Sequence, residues 1–504
     1  MKKYIYLLII GFSIANSLAQ NVADGLRLGL SGNNGTARFQ AMGGAFGSLG
    51  GDFSAINVNP AGSAIFSNNQ WSISLNNNLL KNSTKYFGVK NETEQNSINL
   101  NQLAGVFVFE NNDNRSEWNK FSLAVNYEKI NDFDNDIFSV GTNDNSVASY
   151  FTSYANANGN QGGIPLEVLE NANYEDLNFT DQQAWLGYQA FVINPDSNNL
   201  NNTSYNSNIR SGGKYFQQNA SIIRGQNSKI NFNLSGQYQK WLSVGVNLNS
   251  HFTDYKESTT FIETNKNPDV GTNERISKLQ FNNDIHTFGS GFSMQFGFIA
   301  KLDDMFRIGA SYESPTWYEL NDEVKQSLQT TLSTTLTPDF KNVNKNPEIT
   351  IYEPYQIQTP SKLTGSASVI FSKKGLISLD VTRTDYSNTT FGPLQDFEGL
   401  NNDLSNRLAS SLSFKLGTEY RFNQWSFRGG YRNEQSPYKN KKVMGDLFGL
   451  SSGIGYNWGD VKLDVAYAYS KRNNQNQFFK QGFNDFSTTT GINNNITFTL
   501  VFEL

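Results

Sequence analysis

From Trp71 to its last residue, this chain alternates apolar and polar side chains with period two, in segments of about ten residues. Phe121, Leu123, Val125 and Tyr127 form one apolar row, and Ile230, Phe232 and Leu234 form another. Leu242, Val244, Val246 and Leu248 follow, then Phe292, Met294, Phe296 and Phe298. The chain stops on Ile496, Phe498, Leu500, Phe502 and Leu504. Only an extended strand places every second residue on one face. No stretch holds about 18 consecutive apolar residues, which excludes helical membrane spans. A soluble exported β protein and a membrane barrel both satisfy these limits.

The apolar rows decide between them. They are nearly free of charge, whereas the opposite faces carry Ser, Asn and Gly with Glu128, Asn231, Lys415, Glu419, Lys462 and Asp464. Short connections at 111–117, 239–240, 302–305, 372–375, 423–424 and 459–460 alternate with long ones. The long ones fall near 80–100, 131–227, 255–284, 318–360, 388–409, 435–447 and 473–492. Six tight turns and seven long loops predict about fourteen strands, an even number with short inner turns and long outer loops. Trp71, Trp118, Trp241, Trp425 and Trp458 fall beside the short connections or the start of the first strand, while Trp317 lies at a long-loop end. An indole ring, apolar with one polar N–H, prefers the membrane–water boundary. Sliding the 410–422 strand by one residue would put Lys415, Glu419 and Arg421 into lipid, at roughly 2–4 kcal/mol per basic residue near the midplane. Those residues therefore face the lumen. The fold class is all-β, a transmembrane antiparallel barrel.

Met1, Lys2 and Lys3 precede an apolar run from Tyr4 to Ala15, then Ser17, Leu18 and Ala19. A basic start, a short apolar core and a small-residue site make a secretory signal peptide, cut after Ala19. The chain thus divides into a leader at 1–19, a segment at 20–70 and the barrel at 71–504, whose longest loop is 131–227. The absence of Cys excludes disulfides, thiolate metal sites and Cys nucleophiles, and a net charge of -5 without a basic block offers no nucleic-acid surface.

Residues 43–66, GGAFGSLGGDFSAINVNPAGSAIF, are small, apolar and rich in glycine. Alone they bury too little surface to offset the cost of ordering them. A barrel of this size is too wide for its own side chains to fill. Starting on the periplasmic side ahead of strand one, the segment is expected to fold back inside the lumen as a hatch. Gly43 and Gly44 opening a Gly-Gly-Ala-Phe run, then Asn59, Pro60 and Ala61 before the first strand, resemble the FadL/TodX (OmpP1) family in its Bacteroidetes-type variant. The resemblance implies a fourteen-stranded barrel in the outer membrane of a Gram-negative bacterium, with a hatch carrying Asn59, Pro60 and Ala61. It also implies passive uptake of hydrophobic small molecules such as long-chain fatty acids or hydrocarbons. Taken bare, the tripeptide reads as an ordinary turn.

Within loop 131–227, Thr180 and Gln183 suggest a capping box opening a short helix. Leu186, Ala190 and Ile193 would share a face, with Trp185, Tyr188 and Val192 beside it. The plain reading is a lid packed on other loops; the sharper one is a ligand-capture surface carrying Trp185, Leu186 and Phe191. Asp132, Asp134 and Asp136 read as a solvated loop ahead of a Ca²⁺ site, so neither metal nor cofactor is expected. His251 and His286 read as bystanders rather than acid–base partners, and no enzyme is expected. Arg428, Arg432, Glu313 and Asp380 read as ion-paired wall residues. The alternative to transport is a binding or scaffold barrel with a partner protein in an export or surface-attachment complex.

Overall fold

In the computed structural model, residues 20–504 are described apart from 112, 114, 157–161, 268–273, 335, 336, 338, 340 and 373. The expected leader at 1–19 lies outside the described residues. The alternating segments form fourteen barrel strands, several of them interrupted. They begin with β1 (Gln70–Tyr86), β2 (Val89–Glu110) and β3 (Trp118–Asp132, continued by Asn135–Asn143). Next come β4 (Tyr215–Tyr238), β5 (Leu242–Thr264), β6 (Arg275–Lys301) and β7 (Phe306–Glu313, continued by Trp317–Ser333). In β8 the pieces are Lys341–Lys345, Thr350–Ile351, Tyr355–Gln358 and Lys362–Phe371; β9 is Gly375–Asp385 with Thr390–Gly392. The last five are β10 (Ser410–Phe422), β11 (Trp425–Glu434), β12 (Leu447–Asn457), β13 (Val461–Gln477) and β14 (Phe486–Glu503). Neighbours pair antiparallel in chain order. β14 then returns to β1, from Gln70 opposite Glu503 to Lys85 opposite Thr488. Closure leaves no unpaired edge.

The alternation sorts the two faces. Phe232, Leu234, Phe296, Phe498 and Leu500 are exposed on the outside, while Asn231, Asn233, Gln295, Thr497 and Thr499 are buried toward the lumen. Glu419 is buried on the inner face and Phe414, Leu416 and Tyr420 are exposed on the outer one. Trp71, Trp118, Trp241, Trp425 and Trp458 all keep exposed rings at the end of the barrel that carries the short turns.

Several stretches expected as loops are strand. The 80–100 region is a hairpin whose two-residue turn, Phe87 and Gly88, has φ of 42° and 85°. β5 and β6 extend into 255–284, β7 and β8 pair through much of 318–360, and β13 and β14 through much of 473–492. Apolar alternation reports contact with lipid. Beyond the membrane neither face of a ladder meets lipid, so Lys81 pairs with Glu94 and the buried Thr84 with Asn91 without an apolar row. Among the described residues, the expected long loops that hold α-helices are 131–227 and 388–409.

The largest apolar cluster lies in that longest loop. Helices α3 (Ala148–Asn156), α4 (Leu166–Asn171) and α5 (Phe179–Gln189) gather Phe151, Leu169 and Leu186 over the strand tips at Phe261 and Leu328, with Phe479 and Phe483 alongside. This dome caps the outer end. Below it, inside the barrel, runs the N-terminal segment: α1 (Val22–Gly29), α2 (Ala37–Ala41) and 3-10 turns at Ser54–Asn57 and Pro60–Ile65. Asn21 and Asp24 cap α1 reciprocally, Asn21 Oδ1 accepting from Ala23 N at 2.7 Å and Asp24 Oδ2 from Asn21 N at 2.7 Å. α1 packs at the outer end of the lumen against Tyr318, Tyr355 and Phe391, and Gln20 Nε2 donates to Asp322 Oδ2 at 2.7 Å. The segment therefore begins near the outer mouth and descends to β1, rather than starting on the periplasmic side. The first strand fixes only the segment's C-terminal end.

Candidate functional site

Asn59 is 1% exposed and joins the N-terminal segment to the wall. Pro at the first position of the 3-10 turn presets φ, and Asn59 caps it through Oδ1, which accepts from Ala61 N at 3.1 Å. Its Nδ2 donates to Gly47 O at 2.7 Å and Phe298 O at 2.8 Å, tying two stretches of the segment to each other and to β6. Wall amides answer the other carbonyls: Asn233 Nδ2 to Pro60 O at 2.9 Å, Asn247 Nδ2 to Ile56 O at 2.8 Å, and Gln295 Nε2 to Val58 O at 2.9 Å. An irregular backbone buried inside a barrel needs such partners.

Close approach requires missing side chains on the wall. A Cβ at Gly297 or Gly309 would collide with Asn59 or Gly47, and one at Gly245 would stand 2.5 Å from Pro60. Gly245 lies directly opposite Gly297 in the ladder. A second cleft receives the turn after α2: a Cβ at Gly417 would stand 2.6 Å from Met42 O, one at Gly430 would meet Gly43 N, and one at Gly453 would stand 2.5 Å from Ala41. Gly43 and Gly44 themselves have φ of 62° and 78°, a backbone region that excludes most side chains. Sequence reading found the glycines of the segment and missed those of the wall. Their signal was Gly at inward positions of neighbouring strands.

Charges fasten the same face. Arg38 Nε donates to Glu419 Oε2 at 2.8 Å; Arg428 Nε donates to the same oxygen at 2.7 Å and its Nη1 to Asp464 Oδ1 at 2.6 Å. Arg432 pairs with Glu434 and Glu313 with Lys362. Asp380, expected to be ion-paired, instead accepts the backbone amides of Phe46 and Gly47, each at 2.9 Å, because Gly47 brings the chain against the wall there. Asp52 in the segment accepts from Thr36 Oγ1 at 2.8 Å and Ser54 N at 2.9 Å, and burial raises its pKa.

The loop residues separate. α5 begins at Phe179, and its cap is Asn178, two residues before the expected Thr180, with Oδ1 accepting from Asp181 N at 3.1 Å. Gln183 is instead buried, sharing hydrogen bonds with Gln326 and Tyr150. Leu186 is wholly inside the dome, which removes it from any capture surface in this conformation. Trp185 is partly buried, with Nε1 donating to Ala172 O at 3.2 Å, and Phe191 is 40% exposed beside Lys341. The aspartates at 132–136 are not a solvated loop. Asp132 holds Lys129 at 2.7 Å, Asp134 accepts Gly225 N at 3.0 Å, and Asp136 holds Arg224 at 2.5 Å, because β3 bends against β4 there. His251 Nε2 stands 2.9 Å from Ser293 Oγ and is buried, whereas His286 lies between Asp254 and Glu323 at 3.5 and 3.4 Å.

The family model described as outer membrane protein transport protein (OMPP1/FadL/TodX) matches residues 188–499, more than half of the chain. The chain belongs to the OMPP1/FadL/TodX family. The match places this family member in the outer membrane and leaves out the glycine-rich stretch at 43–66. No curated protein matches in sequence. A Pseudomonas aeruginosa FadL homologue is similar in structure, with 12% identity, TM-score 0.54, and 94% of this chain and 99% of that one covered. The P. putida toluene transporter TodX is similar at 13% identity and TM-score 0.53, with the same shares covered. At such identities the likeness is one of fold.

Proposed function

We propose that this FadL-family barrel is a channel for passive uptake of hydrophobic small molecules, long-chain fatty acids or hydrocarbons, and that residues 20–69 are its hatch. The observation that carries this reading is the aromatic cluster packed around α1 at the outer end of the lumen. Tyr255, Tyr318, Tyr355, Tyr386, Phe391 and Phe397 surround the apolar face of α1, formed by Val22, Leu26 and Leu28. The rings cover the apolar face of α1, and an inner wall this aromatic suits a hydrophobic solute better than a polar one. The structurally similar toluene transporter supports the same class of cargo. Phe191 and Trp185 are the exposed and half-buried residues offered for ligand capture at the dome. Asn59, Pro60, Ala61, Gly43 and Gly44 are the joints on which the hatch is seated. A channel calls for no catalytic residue, and the Bacteroidetes-type resemblance of 43–66 supports an origin in such a bacterium.

The test is uptake of a fluorescent long-chain fatty acid and of toluene by liposomes carrying the purified protein. Protein-dependent flux of either supports a channel. Flux equal to that of empty liposomes for both, with the barrel intact, refutes it and favours a scaffold that co-purifies with export proteins.

A further inference from the structure

The longest outer loop carries one sign of charge. Residues 130–209 hold seven Asp and three Glu and no Lys, Arg or His, in a chain with 40 Lys and Arg. The three aspartates at 132–136 are engaged by Lys129, Gly225 N and Arg224. The remaining carboxylates belong to the dome. Asp144, Glu167, Glu170, Glu175, Asp176 and Asp196 are exposed. The donors that hold them are neutral: Tyr188 Oη donates to Glu170 at 2.9 Å, Asn173 Nδ2 to Asp176 at 3.1 Å, and Ser204 Oγ to Asp196. Cations meet the dome at its edges. Lys345 Nζ donates to Gln189 Oε1 at 3.2 Å, Lys341 lies over the Phe191 ring at 5.1 Å, and Lys480 lies over Phe179 at 5.2 Å. These three lysines do not offset six exposed carboxylates. Trp185 packs edge-on against Tyr174, whose turn continues into Glu175 and Asp176.

The same sign continues where the dome overlies α1. Asp24, Glu257 and Asp322 stand beside the aromatic cluster, and they take up the donors present there. Arg27 Nη2 donates to Asp24 Oδ1 at 2.5 Å and Tyr255 Oη to Glu257 Oε2 at 2.7 Å. Tyr355 Oη and Gln20 Nε2 donate to Asp322 at 3.2 and 2.7 Å. Arg27 and Lys480 are the cations within electrostatic reach of these three carboxylates. Deeper in the lumen, Lys229 and Lys415 stand across the ladder from Glu128 and Asp380, each with its own counter-charge. A carboxylate entering this end leaves water, meets like charge and finds the donors taken, whereas a neutral apolar molecule forfeits no hydrogen bond.

We propose that the outer end of this barrel selects neutral cargo, admitting hydrocarbons and esters and turning away fatty-acid carboxylates. The inference rests on the channel reading and narrows it to one class of hydrophobic solute. A surface of one sign changes the arrival of a charged solute by about 10- to 1,000-fold at low ionic strength and leaves a neutral one unaffected. Salt screens that effect over about 8–10 Å.

The test uses liposomes of zwitterionic lipid carrying the protein, supplied with radiolabelled methyl dodecanoate or with ionised dodecanoate at neutral to mildly alkaline pH. Initial entry above that of empty liposomes is measured. At low ionic strength the methyl ester is expected to enter about tenfold faster than the carboxylate. Glu167→Gln, Glu170→Gln, Glu175→Gln and Asp176→Asn combined should speed dodecanoate several-fold and leave methyl dodecanoate unchanged. Salt at about 1 M, where the screening length falls to about 3 Å, should narrow the gap in the wild type in the same direction. Equal entry of the two probes at low ionic strength, or a gap that the fourfold substitution leaves unchanged, overturns the inference and leaves the channel standing. No protein-dependent entry of either probe through an intact barrel overturns the channel reading and this inference with it. If the fourfold variant does not form a heat-modifiable barrel, the salt series on the wild type carries the test, and a gap indifferent to salt overturns the inference.

Discussion

Replacing Asn59 with Ala removes a buried amide that serves four backbone groups, the longest contact being to Ala310 O at 3.4 Å. Gly47 O and Phe298 O lose a donor at 2.7 and 2.8 Å, and Ala61 N loses its acceptor at 3.1 Å. A buried polar group left without its partner costs about 1–3 kcal/mol, and loss of a cap about 1 kcal/mol. Even with partial relaxation and water entry, a net of about 2–4 kcal/mol against the seated hatch is expected, a shift of about 30- to 1,000-fold in the seated-to-released ratio. The barrel should survive, because its ladder closes through β14 and β1 without help from the segment. Asn59→Ala should therefore keep its heat-modifiable mobility on a denaturing gel. In planar bilayers it should show more frequent or larger conductance steps than wild type, and protease added from the side of the short turns should cut within residues 43–66. Wild-type conductance together with wild-type protection at 43–66 would refute the seat. Loss of the folded barrel would refute the claim that wall and hatch are separable.

The wall glycines give a complementary test: Gly297→Val should displace the segment by collision with Asn59, raising conductance as Asn59→Ala does, whereas Gly365→Val, where a Cβ meets nothing within 4 Å, should not. Gly44→Trp forces a bulky residue into a backbone of φ 78° and should unseat the hatch more than it harms the wall, read as increased conductance with unchanged gel mobility. Glu419→Gln leaves Arg38, Arg421 and Arg428 crowded around a neutral amide, and removing one partner of a buried pair costs about 3–5 kcal/mol, so thermal unfolding should shift downward measurably. In the dome, Leu186→Ala should cost about 2–5 kcal/mol locally and expose 131–227 to protease, while Phe191→Ser should leave protection intact and slow hydrophobic uptake.

The wall was legible because lipid reads one face of each strand. Phe121, Leu123 and Val125, or Ile496, Phe498 and Leu500, can be placed outward from spacing alone, and the register that keeps Glu419 out of lipid follows from the energy of charge in hydrocarbon. The strand extension at 80–100 was hidden because pairs such as Lys81 with Glu94 and Thr84 with Asn91 have no apolar row to announce them. At 318–360 the row of Tyr318, Leu320, Val324, Leu328 and Leu332 instead turns inward and is covered by the protein's own α1 and dome rather than by lipid. Where the segment before β1 goes was half visible. Small residues and Asn59-Pro60-Ala61 call for an enclosing wall, yet nothing local says that α1 should rise to the outer mouth against Tyr355 and Phe391.

What sequence determined by itself is what depends on neighbours along one strand: the alternation, the turn positions and the tryptophan rim. What only tertiary structure decided depends on residues far apart in the chain meeting across the lumen. Gly297 acquires meaning from Asn59, Glu419 from Arg38, and Asp380 from the amides of Phe46 and Gly47. Leu186 passes from a capture residue to dome core once Phe151 and Leu328 pack around it. Strand periodicity is a local property with one answer, whereas each of these partnerships is chosen by the closure of fourteen strands around a single threaded segment.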